Sequence, residues 1–171
     1  MSGLKFRETR IHKIIDESLA KLSMSDGVTV VLSSSLDDDA AWIDEEKMGS
    51  VLLDLATNAV ESMPRGGTLM IAVTGDDQQV SITLTDTGVG IPLENIPLLF
   101  TPFFTTKVAG DGTGLGLPSA YAAVKAHHGE ISIESNADSE KGPTGTRVRM
   151  VLPRQQTFQK ESGNIILHEE E

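Results

Sequence analysis

Apolar residues recur along the chain with two periods, and each period marks its own kind of element. From Thr9 to about Met24, Ile11, Ile14, Ile15, Leu19 and Leu22 follow helical spacing. This predicts an N-terminal linker helix within residues 1–27, packed on the body of the protein or joining it to an upstream domain. Residues 1–7 read as a chain start. Val28–Ser33, rich in Val and Thr, reads as a strand. The acidic stretch Leu36–Ala40 reads as a loop. Asp44 then suits a helix N-cap, with Glu45 and Glu46 in the first turn. Met48, Val51, Leu52, Leu55, Ala59 and Met63 make an apolar stripe over about five turns, stopped by Pro64 and Arg65-Gly66-Gly67.

Beyond that helix the period changes to two. Thr68–Thr74 and Gln79–Asp86 predict a β-hairpin around Gly75-Asp76-Asp77. Ser119–His128 predicts a helix closed by Gly129 as its C′ residue. Glu130–Ser135 and Thr146–Leu152 predict a final pair of strands across a polar connection, and Pro153 stops the second. The body thus spans residues 28–154. Residues 155–171 read as a tail, in which Ile165-Ile166-Leu167 is either loose or the start of another domain.

Two strand faces end in a polar residue. Val80, Ile82, Leu84 and Asp86 share one face, as do Thr146, Val148, Met150 and Leu152. A carboxylate left unpaired at the end of an apolar face would cost several kcal/mol or more. Asp86 therefore needs a donor. An exocyclic amine of a base would serve, and so would the N–H of Gly88 or Val89 in its own turn. Asp54, Asn58 and Glu61 lie at i, i+4 and i+7 on one helix face. They read as a solvated face, or, since Asn58 borders the apolar stripe, as a site whose Asn oxygen ligates Mg²⁺. His12 reads as a packed or solvated helix residue, and His127 and His128 as structural.

Residues 86–117 concentrate the chemistry. Asp86-Thr87-Gly88-Val89-Gly90-Ile91-Pro92 and Gly110-Asp111-Gly112-Thr113-Gly114-Leu115-Gly116-Leu117-Pro118 flank a bridge, Leu99-Phe100-Thr101-Pro102-Phe103-Phe104-Thr105-Thr106-Lys107. Glycines let backbone N–H groups approach a ligand and form anion-binding concavities. Read singly, each cluster is also an ordinary surface turn. The second leads into a helix N-terminus, where free N–H groups and partial positive charge favour phosphate. Lys107 adds a cation suited to phosphate. Neither cluster is a dinucleotide fingerprint or a P-loop.

Composition narrows the partners. A chain of 171 residues, 39% hydrophobic but only 4% aromatic, suits one domain with a mostly aliphatic core. A net charge of −11 argues against nucleic acid. It allows a nucleotide bound with a divalent cation. The absence of cysteine excludes disulfides and thiolate metal sites. No apolar run approaches membrane-spanning length and no signal peptide is evident. The expected location is the cytoplasm without direct membrane contact, which is compatible with an anchor elsewhere in a longer parent protein.

Four blocks in order resemble the catalytic ATP-binding domain of sensor histidine kinases, a superfamily shared with DNA gyrase B, Hsp90 and MutL. Leu52-Leu53-Asp54-Leu55-Ala56-Thr57-Asn58-Ala59-Val60-Glu61-Ser62-Met63 is similar to the N box. Asp86–Gly90 is similar to the first glycine box, Pro102–Lys107 to the F box, and Gly112–Leu117 to the second glycine box. Gly145-Thr146 resembles the closing Gly-Thr element, and the wording is nearest the nitrogen-regulation (NtrB-like) type. The resemblance covers roughly residues 9–153. It implies a two-layer α/β sandwich: a mixed, largely antiparallel sheet with helices on one face, the GHKL or Bergerat fold. It also implies Mg-ATP in a cleft under a lid from about Pro97 to Gly112, anchored by Phe103 and Phe104.

Carried over by position, the resemblance makes Asn58 the Mg²⁺ ligand and makes Asp86 the acceptor for the adenine amine, with Thr146 nearby. Gly88, Gly90 and Ile91 would approach the base. Lys107 and the segment Gly112, Thr113, Gly114, Leu115, Gly116 and Leu117 would hold phosphates. Asn58, Lys107 and Asp54 would form the catalytic group. Many histidine kinases carry Asn at the position of Asp54; the ATPase branch has a Glu there as general base, which Asp54 matches with a shorter arm. An aromatic residue often packs on adenine at the position of Ser62, so its absence implies modest affinity. None of His12, His127, His128 and His168 sits in an H box. The implied activity is transfer of the γ-phosphate to a histidine on a separate helical dimerisation domain, and onward to a response-regulator aspartate. An anti-sigma-type serine kinase, another GHKL ATPase and a non-catalytic nucleotide sensor are the alternatives.

Overall fold

The computed structural model describes residues 3–101 and 116–156. Phe103, Phe104, Lys107, Gly112, Thr113, Gly114, Leu115, His168 and the tail from residue 157 lie outside the described residues, as does most of the expected lid. In chain order the elements are β1 (Phe6–Arg10), α1 (Ile11–Ala20), β2 (Val28–Ser34), β3 (Ala40–Asp44), α2 (Glu45–Glu61), β4 (Gly67–Gly75), β5 (Gln79–Asp86), a 3-10 segment (Leu93–Leu98), α3 (Gly116–Ala126), β6 (Glu130–Asn136), a short 3-10 turn (Ser139–Lys141) and β7 (Gly145–Pro153).

Five strands form one sheet in the order β2-β4-β5-β7-β6. The β2–β4 pair is parallel and the other neighbours are antiparallel, the mixed sheet expected. The period-two apolar rows of β4, β5 and β7 face the helices: Leu69, Ile71, Val73, Val80, Ile82, Leu84, Val148, Met150 and Leu152 are all buried. The opposite face carries polar side chains such as Arg149, whose Nε donates to Ser81 Oγ at 3.0 Å. Helix α2 is the centre of the helical layer and buries Met48, Val51, Leu52, Leu55, Ala56, Ala59 and Val60. Each large aliphatic side chain buried this way contributes about 1.5–3 kcal/mol relative to exposure. Asp44 caps the helix as expected, accepting from Lys47 N at 3.0 Å.

The N-terminal segment departs from the sequence reading. The helix begins at Ile11 rather than Thr9, because residues 6–10 form a strand paired antiparallel with β3. Neither strand shows in the sequence pattern: β1 reads Phe-Arg-Glu-Thr-Arg, and the pair exists through a contact between segments more than thirty residues apart. The expected linker helix packs into the core through Ile11, Ile14 and Ile15, each at most 1% exposed. His12 is held at its N-terminus, with its backbone N–H and Nδ1 at 2.7 and 2.5 Å from Asp39 Oδ2. Burial disfavours ionised Asp39, yet His12 and Arg10 together outweigh it and hold that carboxyl below its ordinary value.

The end of α3 is also different. The left-handed C′ residue is His128, at φ 57°, and Gly129 instead passes close to the Val151 carbonyl of β7. His127 is fully buried. Its Nδ1 lies 2.7 Å from the Ala123 carbonyl and must donate to it, so its Nε2 is the acceptor for Asp44 N–H at 2.9 Å. One imidazole thus ties α3 to the start of α2. Phe6 meets the ring edge-on at 5.2 Å.

Two outcomes follow for His127. His127→Ala should cost about 2–4 kcal/mol, read by urea denaturation, from the cavity and the orphaned Asp44 N–H. Burial pushes this imidazole below its ordinary value. The unfolded chain therefore binds the proton more readily, and the contribution is complete above pH ~6.5 and lost as pH falls through the depressed value. A denaturation midpoint that does not fall across that window would exclude this role.

Candidate functional site

Sheet register brings Asp86, Thr146 and Ser135 into one row. Asp86 on β5 opposes Thr146 on β7, and Thr146 opposes Ser135 on β6. All three close the core face, where the apolar rows run out. Asp86 is 7% exposed. Its Oδ1 accepts Gly88 N–H at 2.9 Å and Thr146 N–H at 3.2 Å, and the Ser62 hydroxyl, whose proton goes to the Ala59 carbonyl at 2.7 Å, stands beside the carboxylate. The turn-capping reading of Asp86 is thus realised at Gly88. Burial pushes its carboxyl above the ordinary range, and the polar groups of Gly88, Ser62 and Thr146 around it only partly offset that.

The glycine turn after β5 is clamped from both sides. Val89 N–H donates to the Ser62 carbonyl at 3.0 Å, tying the turn to the end of α2. On the sheet side, the Thr144 hydroxyl donates to the Gly88 carbonyl at 2.7 Å, and Ile91 N–H donates to Ser135 Oγ at 2.8 Å. A Cβ on Gly88 would overlap the Ser62 hydroxyl and carbonyl oxygens. Gly90 is at φ 74°, and a Cβ there would overlap the Asn136 carbonyl. Both glycines are required by contacts the sequence does not reveal, and Ile91 spends its N–H on Ser135.

The other wall is α2. Asp54, Asn58 and Ser62 lie on successive turns, so the wall runs about 12 Å from Asp54 to Ser62. Ser62 meets the Asp86 turn. At the far end α3 begins: a Cβ on Gly116 would lie 3.8 Å from Asn58 Nδ2 and 4.0 Å from Asp54 Cβ. The first turn of α3, with its free amides and partial positive charge, therefore stands beside Asn58 and Asp54. Asn58 is half-buried and Glu61 exposed. Desolvation raises the Asp54 carboxyl, although Asp54 is exposed enough for water to screen much of the effect. Leu117 packs against the core. Phe100 rests on Tyr121 of α3, with centroids 5.0 Å apart.

The structure thus gathers Asp86, Gly88, Gly90, Ile91 and Thr146 at the C-terminal end of α2, and Asn58, Asp54 and Gly116 along the preceding two turns. Among the described residues no cluster of three or more His, Asp or Glu is arranged to hold a metal ion. Three anchors have no assigned role in the sequence pattern: Ser62, Ser135 and Thr144. Ser135 carried a usable signal, since it ends the row Ile131, Ile133, Ser135 just as Asp86 and Thr146 end theirs. In the sequence Ser62 marks only the lack of an aromatic, but its carbonyl receives the glycine turn and its side chain stands beside Asp86.

Residues 43–156 match the model of the family described as histidine kinase-, DNA gyrase B-, and HSP90-like ATPase. The chain is 33% identical over 147 residues to sporulation kinase A of Bacillus subtilis (strain 168), covering 84% of the chain and 23% of that protein. It is 39% identical over 114 residues to sensor histidine kinase ZraS of Salmonella typhimurium (strain LT2), covering 66% of the chain and 24% of that protein. The chain therefore spans less than a quarter of the length of these relatives. The mycobacterial sensor histidine kinase MprB superposes with a TM-score of 0.73 at 25% identity, over 87% of this chain and 97% of that one. The nucleotide-free catalytic domain of histidine kinase ThkA superposes with a TM-score of 0.74 at 24% identity, over 90% of this chain and all of that one.

The clamp around the glycine turn yields a stability test. Gly90→Ala should destabilise the protein by about 1–3 kcal/mol, because it adds left-handed strain to a clash with backbone. Thermal melting reads this, and an unchanged Tm would show that the turn can move away from Asn136 freely.

Proposed function

Because the chain belongs to the histidine kinase-, DNA gyrase B- and HSP90-like ATPase family, we propose that it binds Mg-ATP along α2 and donates the γ-phosphate to a histidine on a separate helical dimerisation domain. A response-regulator aspartate is the next acceptor. The observation that carries this reading is the placement of a buried carboxylate and a helix N-terminus at opposite ends of one wall. Asp86 offers an acceptor for the adenine amine, with Thr146 beside it. The opening turn of α3 offers amides for phosphate, and Gly116 allows close approach there. Lys107, Gly112, Thr113, Gly114 and Leu115 complete the phosphate contacts in this reading. The names of the sensor and sporulation kinases among its relatives favour a histidine as phosphoacceptor over the serine of an anti-sigma-type kinase.

Asn58 supplies a single neutral oxygen, and no carboxylate cage surrounds it among the described residues. That donor set fits Mg²⁺, which keeps several waters and is usually held by one or two protein oxygens together with substrate phosphates. Bound there, the ion would neutralise charge on the phosphates. What the chain itself does is position: Asp86 fixes the base, the glycine turn sets its depth, and α3 orients the phosphates. In-line transfer needs little more than such positioning and electrostatic stabilisation. Asp54, beside the α3 N-terminus, supports a second reading in which it assists hydrolysis as a base. Steady ATP hydrolysis abolished by Asp54→Asn would favour that reading.

None of the described histidines has an H-box context, so γ-labelled ATP should leave this chain unlabelled. The label should appear as acid-labile phosphohistidine on an added helical domain; acid-stable phosphoserine on a partner would favour the serine kinase instead. By isothermal titration, Asp86→Asn should lower ATP affinity by about 1–3 kcal/mol, as expected when a hydrogen bond to a charged group is lost. Asn58→Asp should alter the Mg²⁺ titration, and an unaltered one would remove Asn58 from the metal. Since ionised Asp86 is the stronger acceptor for an amine, and burial raises its pKa, wild-type affinity should fall as pH drops through that raised value. The Asp86→Asn protein should lack this dependence.

A further inference from the structure

The row that closes the core face ends on Ser135, one strand beyond Thr146. Hydrogen bonds around Ser135 fix the direction of a proton in the site. A serine hydroxyl has one proton and two lone pairs. Ser135 Oγ lies 2.9 Å from the Gly145 carbonyl, which can only accept, so the proton goes there. It lies 2.8 Å from Ile91 N–H, which can only donate, so one lone pair is used there. Its third neighbour is Thr146 Oγ1 at 2.7 Å. With the Ser135 proton already committed, Thr146 must be the donor in that contact. The Thr146 proton therefore points toward β6, away from Asp86. What Thr146 has left are lone pairs, and an ionised Asp86 has only lone pairs.

We propose that Ser135 is a positioning residue that holds the Thr146 hydroxyl as an acceptor, so that Asp86 and Thr146 together select a base edge presenting an amine and reject one presenting a carbonyl. This rests on the nucleotide-binding reading of the site. Discrimination comes from polarity: two acceptors facing a carbonyl oxygen leave buried polar atoms unpaired, the arrangement that polar sites use to exclude close analogues. Without Ser135, the Thr146 hydroxyl is free to rotate and to donate to a carbonyl.

The test measures the ratio of dissociation constants for Mg-ATP and Mg-ITP, which differ in the purine only by an amine against a carbonyl at C6 and the proton on N1. Titrations use the full chain as wild type, Ser135→Ala, Ser135→Thr and Thr146→Val, with melting curves to confirm folding. Ser135→Ala should narrow the ATP preference about tenfold, the order expected for one hydrogen bond in a buried site. Ser135→Thr, which keeps a hydroxyl, should restore it. A loosened site would weaken both ligands together and leave the ratio alone. A folded Ser135→Ala protein with the wild-type ratio overturns the assignment. Should Ser135→Ala not fold, Thr146→Val decides, because it removes the rejecting lone pairs while leaving the Ser135 contacts to Gly145 and Ile91; a wild-type ratio in that variant also overturns it. A wild-type chain that binds neither nucleotide sinks the underlying reading, a result distinct from binding without discrimination.

Discussion

A carboxylate at the end of an apolar strand must find donors without water, and the architecture around Asp86 follows from that need. Water-exposed loops tolerate an unpaired acid, but a residue 7% exposed does not. Asp86 therefore draws Gly88 N–H back onto itself and takes Thr146 N–H from the neighbouring strand, while the turn it caps donates Val89 N–H to the Ser62 carbonyl at the end of α2. Each donor belongs to a different element. Satisfying one side chain thus fixes the turn and the strand pair relative to one another, and that turn holds the helix end. The carboxyl remains raised despite this, so its donors do not fully replace lost hydration. An acid under-solvated in this way gains from a further donor, which is what an amine on a base supplies.

Helix α2 turns this local constraint into a site with two ends. Its apolar stripe binds it to the sheet, and its polar positions recur once per turn along the adjoining edge. Ser62 meets the turn that follows Asp86, and Asn58 and Asp54 meet the N-terminus of α3. The distance between the ends is set by helical rise alone. The spacing between the proposed base-binding and phosphate-binding ends is therefore as rigid as the helix, which is the condition for positioning to contribute to catalysis.

The rest of the fold keeps α2 and α3 in place. His127 joins the last turn of α3 to the N-cap of α2 through one neutral imidazole. Arg154, just past β7, donates to the carbonyls of Asp76, Ala40 and Asp38, and so closes the β4–β5 turn onto the start of β3. These contacts lie far from Asp86, yet His127 holds the start of α2 to the end of α3, the two helices whose opposite ends meet at the site.

The sequence by itself determined the elements whose signal is local. The stripe from Met48 to Met63, the Asp44 cap, the β4–β5 hairpin and the apolar rows of β5 and β7 were all legible, because a period and its stop signals lie within one segment. The four blocks gave the family, and a polar residue ending each apolar row marked Asp86 and Thr146. Tertiary structure alone decided the rest. It paired the charged segment Phe6–Arg10 with Ala40–Asp44, which have little strand character of their own, and it made His128 rather than Gly129 the left-handed residue. It also explained Gly88 and Gly90 by what they touch, Ser62 and Asn136, and gave Ser62 and Ser135 their partners. The physical reason is the same in each case: periodicity reports which face a residue is on, but a hydrogen bond between distant segments exists only once register and packing have brought donor and acceptor within three ångströms or so of each other.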